Sequence, residues 1–217
     1  MVVIDNKKFW INFQAGKTPA SVKVDNDFWK YFKPGDKILD VGSGHGRIIF
    51  ECLNRNLNVV GIDINKNEVA EIKKKKLKNA KIKRGDILKI KLKKEFKGVF
   101  LLGVLCVLNK EERLRVVKKI RSFLLDNGYL HISEFEVNKR FKSRYDEDFK
   151  TTKEYGTLSV KENGKEIFRS HNFTKKEIFD LIKEGGFRVI KFKRDQFISL
   201  HGNKKPGMMI IAQKRGK

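Results

Sequence analysis

The chain has 217 residues, 40% of them hydrophobic and 17 of them phenylalanine, enough apolar surface for one sizeable α/β core rather than two independent ones. Its two cysteines, Cys52 and Cys106, stand far apart and outside any CxxC or Cys/His grouping; this excludes a disulfide framework and a zinc site, and predicts a reducing, cytoplasmic setting with no metal. No apolar stretch approaches the ~20 residues of a membrane span, and Asp5, Lys7 and Lys8 interrupt the start of the chain, so neither secretion nor membrane insertion is expected.

Basic residues number 50 against 26 acidic ones, a formal net charge of +24, and such a surface attracts phosphate-rich partners. RNA or DNA is therefore one reading of the charge. The excess is mostly lysine, 38 against 12 arginines, whereas base-edge and bidentate phosphate readers lean on arginine. Heat adaptation or genomic composition is the competing source.

In chain order, residues 1–33 form a cap ahead of the core, carrying the aromatic cluster Phe9, Trp10 and Phe13. Ala15-Gly16-Lys17-Thr18 ends like a phosphate loop, but Ile11 stands where that motif needs its first glycine. Phe28, Trp29, Tyr31 and Phe32 fall at helical spacing and read as core. From Lys37 to Phe135 short β-type runs alternate with helix-type stretches, the pattern of a parallel sheet with crossover helices. The strands are expected at 37–41, 58–63, 80–83, 98–102 and 128–135, and the helices at 47–56, 65–78 and 110–125. An Asp126-Asn127-Gly128 turn precedes the fifth strand. Residues 137–172 interrupt the alternation as an inserted segment with a hairpin turning at Glu162-Asn163-Gly164. Thr174 then caps a helix, with Glu177 completing a capping box, and Gly185-Gly186 ends it. Strands at 187–192 and 208–212 close the chain.

The most informative stretch is Ile38-Leu39-Asp40-Val41-Gly42-Ser43-Gly44-His45-Gly46. A buried strand runs into three alternating glycines and then a helix, so the backbone can turn sharply and approach a nucleotide-like ligand without Cβ clashes. Arg47 stands where a dinucleotide fingerprint needs its last glycine, which weakens a nicotinamide or flavin reading. Asp63 ends the second strand, where a carboxylate can accept both ribose hydroxyls. Each of Asp40, Asp63 and Asp86 could also be an ordinary cap, strand-end or loop acid.

The glycine turn and these three acids resemble motif I and its sequel in class I, Rossmann-like, S-adenosylmethionine-dependent methyltransferases. Asp40, Gly42, Gly44 and Gly46 match the acid and glycines of that motif, and Asp86, in Arg84-Gly85-Asp86-Ile87, stands where the family's acid contacts the adenine amino group. The resemblance covers residues 32–135 closely and 172–214 in layout. It implies a single domain over 1–217, with an open, mostly parallel seven-stranded sheet, helices on both faces and an antiparallel last strand. It also implies S-adenosylmethionine as cofactor, held by Asp40, Gly42, Ser43, Gly44, Gly46, Asp63, Ile64, Asp86, Ile87 and Leu102. One departure is visible: the family often begins its fourth strand Phe-Asp, and this chain has Phe96-Lys97.

A sulfonium methyl is already activated, so such an enzyme needs alignment of the acceptor and exclusion of water more than a fixed set of catalytic groups. Glu134, His171 and His131 are the candidates for acceptor contact or general base, and strand alternation puts His131 and Glu134 on opposite faces. The cap resembles lids of small-molecule methyltransferases. A small-molecule acceptor is the first expectation and RNA the second; residues 66–97 carry 14 basic side chains against four acidic ones. A non-catalytic cofactor-binding protein is the third.

Overall fold

Strand alternation sends Leu39 and Val41 to one side of the sheet and Ile38 and Asp40 to the other, and both sides are covered, which is why the central strands read as continuous apolar runs. The structure, a computed structural model, describes residues 5–13, 21–200 and 202–216. The phosphate-loop-like Ala15-Gly16-Lys17-Thr18 and parts of the cap therefore lie outside the described residues.

The elements run α1 (Asn6–Asn12), β1 (Lys37–Val41), α2 (Arg47–Leu53), β2 (Asn58–Asp63), α3 (Lys66–Lys74), β3 (Ala80–Arg84), β4 (Phe96–Leu102) and α4 (Lys110–Phe123). They continue with β5 (Leu124–Phe135), α5 (Lys142–Thr152), β6 (Thr157–Glu162), β7 (Lys165–His171), α6 (Lys175–Glu184), β8 (Phe187–Ile198) and β9 (Lys204–Lys214). Seven strands form one sheet in the order β3-β2-β1-β4-β5-β9-β8. The first five are parallel, and β9 is antiparallel to both of its neighbours. On one face Leu39, Val60, Val99, Leu101 and Ile210 pack under α4 and α6, through Val116, Val117, Ile120, Ile178 and Ile182. On the other, Ile38, Val59, Phe100 and Ile211 pack against Ile48 and Ile49 of α2, Ile72 of α3, and Phe28. Phe28 sits in a 3₁₀ turn over 26–31 rather than in an α-helix. Among the described residues no helix is long and apolar enough to cross a membrane.

Three expectations change. The Asp126-Asn127-Gly128 turn lies inside β5, where Asn127 takes φ +58° and the register to β4 shifts between Phe96 and Gly98; the turn has become a bulge. β8 and β9 reach past the sheet as a two-stranded ribbon, paired out to Ile198–Lys204. Their charged residues Lys193, Arg194 and Asp195 hide a strand that backbone pairing sustains. Glu177 does not close a capping box: Thr174 accepts its amide at 3.2 Å, but its carboxylate turns to His171 Nε2 at 2.8 Å.

The inserted segment contains the expected hairpin, β6–β7, and also α5, whose only buried side chain is Tyr145. One buried arginine fastens this segment to the core. Arg113 of α4 is 3% exposed. Its guanidinium donates to both Glu154 oxygens at 2.6 and 3.2 Å, and its Nε donates to the Leu105 carbonyl at 3.1 Å. Removing one partner of such a pair leaves the other charge uncompensated. Because Glu154 is partly solvated, Arg113→Met is expected to cost about 2–3 kcal/mol, roughly 4–12 °C in Tm. Thermal unfolding checks this, and an unchanged Tm would contradict it.

Candidate active site

β1 ends at Val41, and the chain must then reverse into α2 within a few residues. Gly42, Gly44 and Gly46 supply that reversal with φ of +73°, +47° and +83°, a region that costs any residue with a Cβ. Asp63, at the end of the neighbouring β2, holds the turn in place. Its Oδ2 accepts the Gly44 amide and its Oδ1 the Asn65 amide, both at 2.8 Å. The Ile62 carbonyl accepts from Gly42 and Ser43 at 2.8 and 3.1 Å. Asn65 in turn caps α3, accepting from Asn67 at 2.9 Å, and donates to the Phe13 carbonyl at 2.6 Å.

This turn opens into a cavity of about 950 Å³ at the carboxyl ends of β1, β2 and β4, the crevice in which open α/β sheets bind ligands. Asp40, Gly42, Ser43, Gly44, Asp63 and Ile64 line it, as do Asp86, Ile87 and Leu102. Gly46 does not. A Cβ there would meet Ile72 Cδ1 of α3 at 3.1 Å, so Gly46 allows helix packing and the tight turn rather than ligand approach.

Asp40 is 2% exposed, and among the described residues its Oδ2 has no hydrogen-bond partner. Burial, then the charge of Asp63, pushes its pKa up to about 7 against the pull of Arg47. Ser43 Oγ is likewise buried and unpartnered among the described residues. Asp86 Oδ1 accepts the Leu88 amide at 2.8 Å and Oδ2 pairs with Lys7 Nζ at 3.0 Å. Burial raises the Asp86 pKa, but the Leu88 amide and Lys7 outweigh it and the carboxyl stays below its ordinary range. Lys7 belongs to α1, so the N-terminal helix is tied directly to this acid. The sequence reading also missed Glu68, which lines the cavity beside His45 at 3.6 Å and whose pKa is raised mainly by burial. Its place on the inner face of α3, three residues past the cap Asn65, was the available signal.

None of the three acceptor-side candidates lines the cavity. His131 is wholly buried against Phe28 and Phe100, and its Nε2 accepts the Asp25 amide at 2.9 Å. Burial depresses its pKa to about 3 despite Asp25, so it stays neutral. His171 is 1% exposed and bound between Thr157 and Glu177 at 2.8 Å each, because the pleat turns it under the hairpin toward α6. With Glu154 and Glu177 it makes a cluster of metal-ligand type, but the Arg113 guanidinium already pairs with both carboxylates, at 2.6 and 3.7 Å. Glu134 lies behind the wall. Its Oε1 accepts the Leu105 amide at 2.7 Å and so braces the loop after β4; burial, opposed by that amide, lifts its pKa to about 8. The missing acid of β4 has a structural setting too. Lys97 sits over the Tyr129 ring at the start of β4, and the cavity opens at Leu102, the strand's other end.

The fold and the site define a Rossmann-like methyltransferase. The family model of the methyltransferase domain matches residues 32–193, and the chain belongs to that family of S-adenosylmethionine-dependent enzymes. A search of curated proteins returns no match. Among solved structures, a protein from Methanosarcina mazei described as an S-adenosylmethionine-dependent methyltransferase is similar at 27% identity and TM-score 0.84. The match covers 90% of this chain and all of that one. A Pyrococcus horikoshii protein (22% identity, TM-score 0.68, 87% of this chain and 86% of that one) shares the fold. So does a Burkholderia thailandensis 1,6-didemethyltoxoflavin N1-methyltransferase, described with 1,6-didemethyltoxoflavin and S-adenosylhomocysteine bound (17%, TM-score 0.64, 84% and 72%).

Because Asp63 alone accepts both the Gly44 and the Asn65 backbone amides, Asp63→Ala should unmoor the turn while the sheet stays folded. The expected cost is about 1–3 kcal/mol for the orphaned donors. Amide hydrogen exchange checks it: Gly44 and Asn65 should lose protection first, and unchanged protection at both would contradict the assignment.

Proposed function

We propose that the protein transfers the methyl group of S-adenosylmethionine to a small-molecule acceptor, with cap and inserted segment acting as parts of one domain over residues 1–217. The supporting observation is that one cavity runs from the glycine turn to a roof made by both segments. Trp10 and Phe13 of the cap line it together with Leu158, Val160 and Phe168 of the hairpin. Trp10 and Phe168 meet edge to face at 5.5 Å, and Phe9 stacks on Phe168 at 4.6 Å. Asn6 fixes the geometry by donating to the Val107 and Arg169 carbonyls at 2.7 and 2.9 Å.

The residues present fit the cofactor. Its ammonium matches the unpartnered Asp40 Oδ2, its ribose hydroxyls match the spare lone pairs of Asp63, and its adenine matches Ile64, Ile87 and Asp86. When bound it supplies an electrophilic methyl on a positively charged sulfur. The loop from Leu102 to Cys106, braced by Glu134, then orients the acceptor, and the aromatic roof keeps water from competing. The lone pair of the acceptor forms the new bond as the carbon–sulfur pair returns to sulfur. A base is required only for an acceptor protonated at neutral pH.

Two outcomes are expected. Ionised Asp40 pairs with a cationic ligand better than neutral Asp40 does. With its pKa near 7, binding of S-adenosylhomocysteine should tighten as pH rises through 7 and level off above it. Calorimetry from pH 6 to pH 8 on the chain and on Asp40→Asn checks this: the variant should bind more weakly and without that slope, and a parallel slope would contradict the role. The acceptor class is tested by offering labelled cofactor with fractionated small metabolites or with unmodified total RNA. Label should enter a small molecule, whereas stoichiometric transfer into a defined RNA position at physiological salt would overturn the proposal.

A further inference from the structure

The cavity is divided by charge. The four carboxylates that line it, Asp40, Asp63, Glu68 and Asp86, all lie on the glycine-turn side, where Lys7 is paired with Asp86 and Arg47 donates to the Val22 carbonyl. The half under the hairpin and the β8–β9 ribbon contains Arg144, Lys161, Lys204 and Lys205 and, among the described residues, no acid on its lining. Lysine is common throughout this chain, but elsewhere it is paired or solvated: Lys73 and Lys74 are exposed on the last turn of α3, and Lys75 and Lys76 just beyond it. Lys205 differs from them. It is half-buried, its Nζ lies 5.9 Å from the centre of the Phe141 ring, and among the described residues no carboxylate pairs with it. Burial and the neighbouring Arg144 lower its pKa, with Cys106 opposing. Arg144 donates one N–H to the Ser159 carbonyl at 3.2 Å and makes a long, half-exposed ion pair with Asp148 at 3.7 Å, which leaves guanidinium N–H groups for a ligand. In the roof, the Trp10 indole N–H is buried without an acceptor among the described residues.

Arg144, Lys161 and Lys204 are exposed and Lys205 is half-buried; like charges gathered on one side of a cavity repel one another until an anion joins them. Resting on the reading above, we propose that the methyl acceptor is itself an anion, a small molecule whose carboxylate or phosphate is held by Lys205, Arg144, Lys161 and Lys204. Its apolar body lies against Phe141, Leu158 and Phe168. The two ends of the cavity thus complement two different charges, a cationic cofactor at the acids and an anionic acceptor at the cations, and this opposition sets which ligand enters which half. A neutral molecule of the same shape leaves the cations unpartnered and is rejected.

The test uses the full chain saturated with S-adenosylhomocysteine, whose binding is measured first. Calorimetry then compares 4-hydroxybenzoate with neutral 4-hydroxybenzamide, and phenyl phosphate with phenol. The two pairs separate carboxylate from phosphate recognition. At least one anion is expected to bind about tenfold or more tightly than its neutral partner, the span of one charge-assisted hydrogen bond. Lys205→Met and, separately, Lys161→Met should remove most of that preference while S-adenosylhomocysteine binds as before, which also certifies that each variant is folded. Equal affinity for anion and neutral partner, no anion binding, or an undiminished preference in both variants would overturn the proposal. Loss of S-adenosylhomocysteine binding in the unaltered chain would instead overturn the methyltransferase reading beneath it.

Discussion

The rest of the site depends on one carboxylate. Asp63 accepts two backbone amides, Gly44 from the turn after β1 and Asn65 from the cap of α3. That pair of bonds fixes the ends of two neighbouring strands and two helices relative to each other. Register does the remainder: Asp40 faces Gly61 across the β1–β2 ladder, so the first acid lies beside the second at the same edge of the sheet. Once the turn is set, Asp40, Glu68 and Asp86 converge on the space the glycines leave open, and burial makes the Asp40 charge costly until a cation joins it.

The opposite end of the cavity follows the same electrostatics with the sign reversed. A net charge of +24 says little by itself, since most of the basic side chains are at least partly exposed, where water and salt screen them. Position is what informs. The few cations that β9, β6 and α5 bring to one side of the cavity face the same space, and Lys205 among them is half-buried. The β8–β9 ribbon and the insertion are therefore more than decoration of a common sheet. They supply the half of the site in which this chain differs chemically from its cofactor end.

Legibility in the sequence tracked how local each feature was. β1 to β5 and the helices between them follow from short apolar runs and their punctuation, because each run is buried on both faces by its own neighbours. The glycine turn with Asp40, Asp63 and Asp86 was readable since ligand-facing backbone and strand-end acids recur at fixed spacing. α5 was not readable: it buries only Tyr145 and carries no amphipathic stripe. Nor was the length of β8 and β9, whose outer halves are held by mutual pairing instead of apolar burial. Gly46 looked like a ligand glycine and faces Ile72, while His171 was a candidate for acceptor contact and is enclosed by Arg113, Glu154 and Glu177. Both depend on contacts far away in the chain, which spacing does not encode. Lys205 and Arg144 meet for the same reason only in the fold.

In the proposed arrangement one continuous cavity holds the cofactor at the glycine turn and points its reacting end toward the cationic half. A crystal structure of the protein with S-adenosylhomocysteine tests that most directly. Adenosine is expected beside Asp63, Asp86 and Ile87, the ammonium at Asp40, and the sulfur facing the Leu102–Cys106 loop with the cationic half open beyond it. A ligand seated away from the glycine turn, or a sulfur directed away from that loop, would contradict it.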